Sequence, residues 1–346
     1  MPSIFIATHL GETMASGGTL KVVVSAITGN AVITLGKFAG FFVSASPSML
    51  AEAIHSLADT LNQVLLFIGI KQSQHEASTQ HPLGYGSATY LWNLISAVGI
   101  FFLGFGVTAY HGIHSLIHPP ENINHSINWI AIGVLLFAFV IESYVLVQAY
   151  KEVNQKRKGQ NWISFFNQSD DPTAIAILFE DGIAVLGVAL AFIGMMLTYF
   201  FKNPSFDAIT SIIIALLLGL MAIFLGIANG RFLIGRAMTD SSQEEMKNFI
   251  ENLEIVDHVE RILTRVIGPS NVRLSLEVSL NGSLLIDRKK ISLDAQEIKS
   301  HPEQATGILV DTFDRAIRTT GNAINELEKQ IQTRFPEVKF IDLELH

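Results

Sequence analysis

Two pairs of residues in this chain have the types and spacing for chemistry. His55 and Asp59 are four apart in Ile54-His55-Ser56-Leu57-Ala58-Asp59. On a helix, residues four apart share a face about one turn from each other, so an imidazole nitrogen and a carboxylate oxygen reach one small ion. Zn²⁺ suits such N/O donors, typically four in a tetrahedron. The alternative is a His–Asp hydrogen bond that ties two helices together. Glu180 and Asp181 are adjacent and diverge by about 100° around a helix axis. One of them then binds the ion while the other holds a ligand or carries a proton.

The elements that position these residues follow from charge. Of 346 residues, 49% are hydrophobic and only 16% charged, with no cysteine and a net charge of −8. Soluble domains carry about 25% charged residues. The deficit is local: 32 of the 54 charged residues lie after Thr239, and no Asp, Glu, Lys or Arg occurs in residues 77–120, 122–141, 182–201 or 208–230. About 20 apolar residues span a bilayer as a helix, so the fold class is a polytopic α-helical membrane protein with a soluble tail. The missing cysteines exclude disulfides, a thiolate nucleophile and thiolate metal sites. The acidic balance, 19 acidic against 13 basic residues in the tail, argues against nucleic acid as a partner.

Six spans are expected near residues 19–42, 47–70, 90–117, 127–150, 173–201 and 206–230, ended by turn signals such as Ser46-Pro47, His118-Pro119-Pro120 and Asn203-Pro204. Lys21, Lys71, Lys151, Lys156, Arg157, Lys158, Arg231 and Arg236 then lie on one side and Lys202 alone on the other, which places both termini in the cytoplasm or its topological equivalent. The division is a short N-terminus (1–18), a six-helix transmembrane domain (19–239) and a cytoplasmic α+β domain (240–346). In the last, a helix opens at Ser241-Ser242, strands are expected at 259–267 and 272–280, a polar stretch at 281–304, a long helix at 307–335 and a strand at 338–345. The order α-β-β-α-β is a two-layer arrangement, and nothing in it suggests an active site. The first 18 residues lack a basic n-region, so no signal or transit peptide is expected.

Ionisable residues inside a bilayer are costly and mark a functional path by default. They include Glu142 of the fourth span, besides the two pairs above. Lys37, Glu52 and Asp207 fall near span ends, where snorkelling or helix-end roles compete with function. His111, His114 and His118 form a stripe at the end of the third span that reads as an interfacial belt. His75-Glu76 starts like a zinc-protease motif but lacks the second histidine, and no enzyme is expected.

Residues 48–63, from Ser48-Met49-Leu50-Ala51-Glu52 to Thr60-Leu61-Asn62-Gln63, resemble the second span of cation diffusion facilitator transporters, in particular their zinc-transporter-nine-like branch. His81-Pro82-Leu83-Gly84-Tyr85-Gly86, Tyr110-His111-Gly112 and Leu178-Phe179-Glu180-Asp181-Gly182 fit that branch in order. The resemblance covers nearly the whole chain, tail included. It implies a homodimeric exporter of divalent metal, commonly zinc, driven by inward proton flow, with two H/D-x-x-x-D motifs supplying four ligands. His55 and Asp59 are the first half and Asp181 matches the second. Its partner position is Ile177, which coordinates nothing. Glu180 is the natural substitute, with Glu142 or a water as runner-up; Glu142, Glu180 and His55 are the proton-coupling candidates. The tail resembles the family's ferredoxin-like, metallochaperone-like domain, which helps dimerisation. With only His258, His301 and His346, and with Asp342 and Glu344 on the last strand, no regulatory zinc is expected there.

The expected function is therefore proton-coupled efflux of Zn²⁺, or of Co²⁺, Fe²⁺ or Mn²⁺, as transported substrate, with no prosthetic group. Metal, protons, the lipid bilayer and a second copy are the partners. A non-transporting metal sensor or scaffold in the membrane is the alternative. The short N-terminus favours a bacterial inner membrane over an organellar one.

Overall fold

The computed structural model describes residues 18–119, 128–157, 159, 161, 162, 165 and 172–346. The chain divides into two compact units, one ending at Ile234 and one beginning at Gly235.

The first unit contains six long helices: α1 Gly18–Ser44, α2 Pro47–Ser73, α3 Ala88–Ile117, α4 Trp129–Arg157, α5 Pro172–Phe201 and α6 Ser205–Ile234. Among the described residues, six helices are long and apolar enough to cross a membrane; at about 1.5 Å per residue each exceeds the ~30 Å hydrocarbon core. Local chemistry sets their starts. Ala45 takes a positive φ of 51° to turn the chain between α1 and α2. Ser46 then caps α2, its side chain accepting from the Met49 amide, with Pro47 in the first turn. Asn128 Oδ1 accepts from the Ala131 amide at 3.2 Å to begin α4. Outward faces carry large apolar side chains such as Leu35, Phe102, Phe137 and Leu220, as lipid contact demands. Inward faces carry small ones, Ala51, Ala131, Ala191 and Ala215, which let helix backbones approach closely. In α3 the helix widens to π geometry over Ile100–Val107.

The second unit opens with α7 Asp240–Glu251, capped by the Thr239 hydroxyl. Strands β1 Val256–Gly268 and β2 Asn271–Leu280 pair antiparallel, and β3 Val338–Leu345 adds parallel to β2, in the order β1-β2-β3. Val272, Leu274, Leu276 and Val278 alternate into a core with Met246 and Ile250 of α7 and with Leu327 and Ile331 of the long helix.

The expected polar stretch is not a loop. It holds two helices, α8 Gly282–Leu285 and α9 Arg288–Ser300, ahead of the long helix α10 Ala305–Arg334. Among its residues only Asp294 is buried in α9, so apolar periodicity had no signal to give. Polar contacts hold the helix instead. Asp287 caps it by accepting from the Lys289 and Lys290 amides, and Lys290 pairs with Asp294 one turn on, at 3.4 Å. Burial pushes the Asp294 carboxyl up, but hydrogen bonds from Thr312, Arg315 and Lys290 prevail and hold it below the usual range. The tail histidines lie apart: His258 faces Glu251 at 3.6 Å, His346 faces Glu277 at 3.3 Å, and His301 closes α9. Asp342 is engaged by Arg273 at 2.6 Å.

Candidate metal site

α2 and α5 run antiparallel along a polar seam. On α2, Ser48, Glu52, His55, Asp59 and Asn62 recur at steps of four and three, which keeps them on one face. Three contacts set the register. Ser48 donates to the Ala191 carbonyl at 3.5 Å. A Cβ on Gly187 would strike Glu52 Oε1, so the helices come this close only because Gly187 has no side chain. Further along, the Asn62 amide donates to the Glu180 carboxylate.

His55 is 1% exposed, its Nε2 lies 3.5 Å from Asp59 Oδ2, and neither ring nitrogen has a hydrogen-bond partner. Asp59 Oδ1 is likewise buried without one. Buried polar atoms rarely go unsatisfied, because each costs about 1–3 kcal/mol. Orphaned N and O donors side by side are what a cation would satisfy. Across the seam, the Asn62 amide donates to both oxygens of Glu180, at 3.0 and 3.2 Å, and accepts from Ser96 of α3 at 2.7 Å. Among the described residues no three His, Asp or Glu side chains stand at coordination spacing. His55 and Asp59 share the face of α2 that carries Asn62, which bonds Glu180 of α5, and Asp181 follows Glu180 in the chain.

The neighbouring ionisable groups have other partners. Lys37 does not snorkel: it is fully buried, with Nζ 2.8 Å from Glu52 Oε2 and 2.7 Å from Glu142 Oε1. It joins α1, α2 and α4 in one ionic triad. Glu142 thus holds Lys37 through one oxygen, while its Oε2 is buried without a hydrogen bond. Asp207 serves helix ends, accepting from Ser48 and, at 2.5 Å, from Ser46 at the start of α2. His111 rests edge-on against Phe41, and His114 stacks on His118. Sequence reasoning missed Asn62, Ser96 and the triad. The signal for Asn62 was its place in the four-three repeat of polar residues on α2.

Residues 23–234 match the family model of the cation efflux transmembrane domain. The chain belongs to the cation efflux family. Among its relatives is the human mitochondrial proton-coupled zinc antiporter SLC30A9, 34% identical over 337 residues that cover 95% of this chain and 59% of that protein. Metal tolerance protein C4 of Arabidopsis thaliana is 32% identical over 339 residues, 94% of this chain and 73% of that one. The manganese efflux system protein MneP of Bacillus subtilis is 27% identical over 270 residues, 75% and 84% of the two chains. This cation efflux chain thus spans under two thirds of the human relative. The first and third of these are an antiporter and an efflux protein by name. The motifs at 48–63 and 178–187 lie on α2 and α5, the helices that form the seam.

Proposed function

We propose that this chain exports a divalent transition-metal ion, Zn²⁺ foremost, in exchange for protons, and that it works as a homodimer. The ion is held between α2 and α5 by His55, Asp59 and Asp181, with Glu180 in place of the ligand that Ile177 cannot supply. The observation that carries this reading is a buried imidazole with neither ring nitrogen hydrogen-bonded, beside a carboxylate with one orphaned oxygen, on the helix face that also reaches Glu180 of α5 through Asn62. The donor set suits zinc, cobalt and iron(II), and the names of the relatives favour zinc or manganese. Ligating groups must shed protons to bind metal, so one set of oxygens serves both ions in turn. The Lys and Arg distribution puts both termini on the cytoplasmic side; the membrane is a bacterial inner one or, as the human relative's name suggests, an organellar one.

Proteoliposomes loaded with a metal-sensitive dye test this directly. Zn²⁺ influx that an imposed pH gradient accelerates supports the reading, whereas metal binding without flux would make the chain a sensor or scaffold.

Two predictions attach to individual side chains. His55→Asp makes the set all-oxygen, which suits harder ions. Across a metal panel, its relative rates are expected to shift toward Mn²⁺, and an unchanged ranking would remove His55 from the ligand set. Asn62→Leu takes away the amide that orients Glu180. Losing such an outer partner costs about 10–100-fold in metal affinity, so the KM for metal should rise by that factor while the folded yield stays near wild type. An unchanged KM would show that Glu180 needs no such support.

A further inference from the structure

The ionic triad of α1, α2 and α4 has oxygens to spare. Lys37 is fully buried, with Nζ 2.8 Å from Glu52 Oε2 and 2.7 Å from Glu142 Oε1. The other oxygen of each carboxylate, Glu52 Oε1 and Glu142 Oε2, is buried without a hydrogen bond. Carboxylates from two helices thus enclose one cation, and two of their four oxygens are unused. Calcium takes carboxylates through one oxygen or both, at about 2.3–2.6 Å. Each carboxylate needs to close by only a few tenths of an ångström to hold such an ion in the ammonium's place.

Packing alone does not call for charges at this point. Neutral hydrogen bonds tie other helices of the membrane unit: Thr34 of α1 with Thr60 of α2 at 3.2 Å, Ser96 of α3 to Asn62 of α2 at 2.7 Å, and Asn93 of α3 to Asn229 of α6 at 3.1 Å. Such bonds avoid the desolvation that every buried ion costs. The triad also has a particular address. Glu52 precedes His55 by three residues on the same face of α2, about 4.5 Å along the axis. Without Lys37, two carboxylates open to a divalent cation would stand one turn from His55 and Asp59. An ion caught there would be trapped beside the cargo or carried with it. An ammonium on a side chain serves both acids and can be neither released nor exchanged.

We infer that Lys37 is a tethered cation filling a second divalent-ion site, formed by Glu52 and Glu142, and that it thereby confines the membrane unit to one metal ion at a time. The donors of this filled site are all carboxylate oxygens, which suit Ca²⁺ and Mn²⁺, unlike the mixed N and O donors around His55. The confinement to one ion rests on the cargo reading of His55 and Asp59. The filled site itself does not, and the test separates the two.

Lys37→Met keeps an unbranched apolar stem and vacates the ammonium's place. Full-length protein in detergent, freed of metal with a chelator and dialysed, is titrated with Ca²⁺ by calorimetry and by melting midpoint. Lys37→Met should bind one Ca²⁺ per chain more than wild type. Ca²⁺ should also raise its midpoint toward the wild-type value while moving wild type little. Lys37→Arg keeps a cation and should gain no ion. Lys37→Met combined with Glu52→Gln and Glu142→Gln lacks the acids and should gain none either. In an Asp59→Ala background the gain of one ion should persist. If Asp59→Ala leaves Zn²⁺ binding intact, the cargo reading fails while the Lys37 difference stands by itself. Should Lys37→Met fold poorly without metal, Ca²⁺ or Mn²⁺ during extraction should restore its yield. An ion count equal to wild type, an equal gain in the triple variant, or a midpoint and yield that neither ion restores would each overturn the inference.

Discussion

Asp59→Ala and Asp181→Asn are each expected to lower metal-driven flux at least a hundredfold with the protein still folded, a loss of about 2.8 kcal/mol or more in ion-binding free energy. Asp59 lies 3.5 Å from His55 Nε2 and its other oxygen is buried without a hydrogen-bond partner. Removing its carboxylate leaves His55 as the sole donor on α2. An imidazole alone cannot hold a divalent ion against water, so binding itself should vanish from calorimetry. Near-normal flux from either variant at wild-type expression would displace the site from this seam.

Glu180→Gln is the informative companion. The amide keeps an oxygen for Asn62 and keeps the shape of the side chain, but it removes a charge and a proton-carrying oxygen. Measurable metal affinity with flux that no longer responds to a pH gradient is the expected outcome. If affinity falls as far as in Asp181→Asn, Glu180 is a plain ligand. Wild-type coupling would pass the proton role to His55 or to Glu142, whose Oε2 has no hydrogen bond.

What the amino-acid order made legible, and what it hid, follows from the reach of each interaction. The spans show because a helix in lipid needs a long run without charge, and β2 shows because one buried face imposes alternation from Val272 to Val278. His55 and Asp59 show because their contact is local, one turn apart. α9 stays hidden because a cap at Asp287 and polar ties to α10 hold it in place of a buried apolar face. Asn62 stays hidden because an amide in an apolar run means nothing until Glu180, 118 positions away, is seen beside it. Lys37 was misjudged for the same reason. Its position suggests a span end, whereas its partners are 15 and 105 residues distant on two other helices. Contacts between spans depend on helix rotation, which hydrophobic content alone does not set when every span is apolar nearly all round.

Lys37→Met should therefore be the most destabilising single change in the membrane unit. The ammonium is fully buried between two carboxylates, at 2.8 and 2.7 Å, and those side chains are themselves 0% and 14% exposed. A buried ion pair is worth little net when compared with an apolar replacement of all its members, but removing one partner costs about 3–5 kcal/mol because the other charge is stranded. Here two carboxylates, one on α2 and one on α4, are stranded. The melting midpoint in detergent, followed by size-exclusion of the heated sample, should fall well below wild type. The triple variant Lys37→Met, Glu52→Gln, Glu142→Gln removes every charge of the triad and should recover most of that loss. Recovery of folding without recovery of flux would then separate two roles, since it would show that the triad serves transport as well as packing. A Lys37→Met protein that melts like wild type would mean that water or protons already neutralise Glu52 and Glu142, and the ionic tie between α1, α2 and α4 would carry no weight.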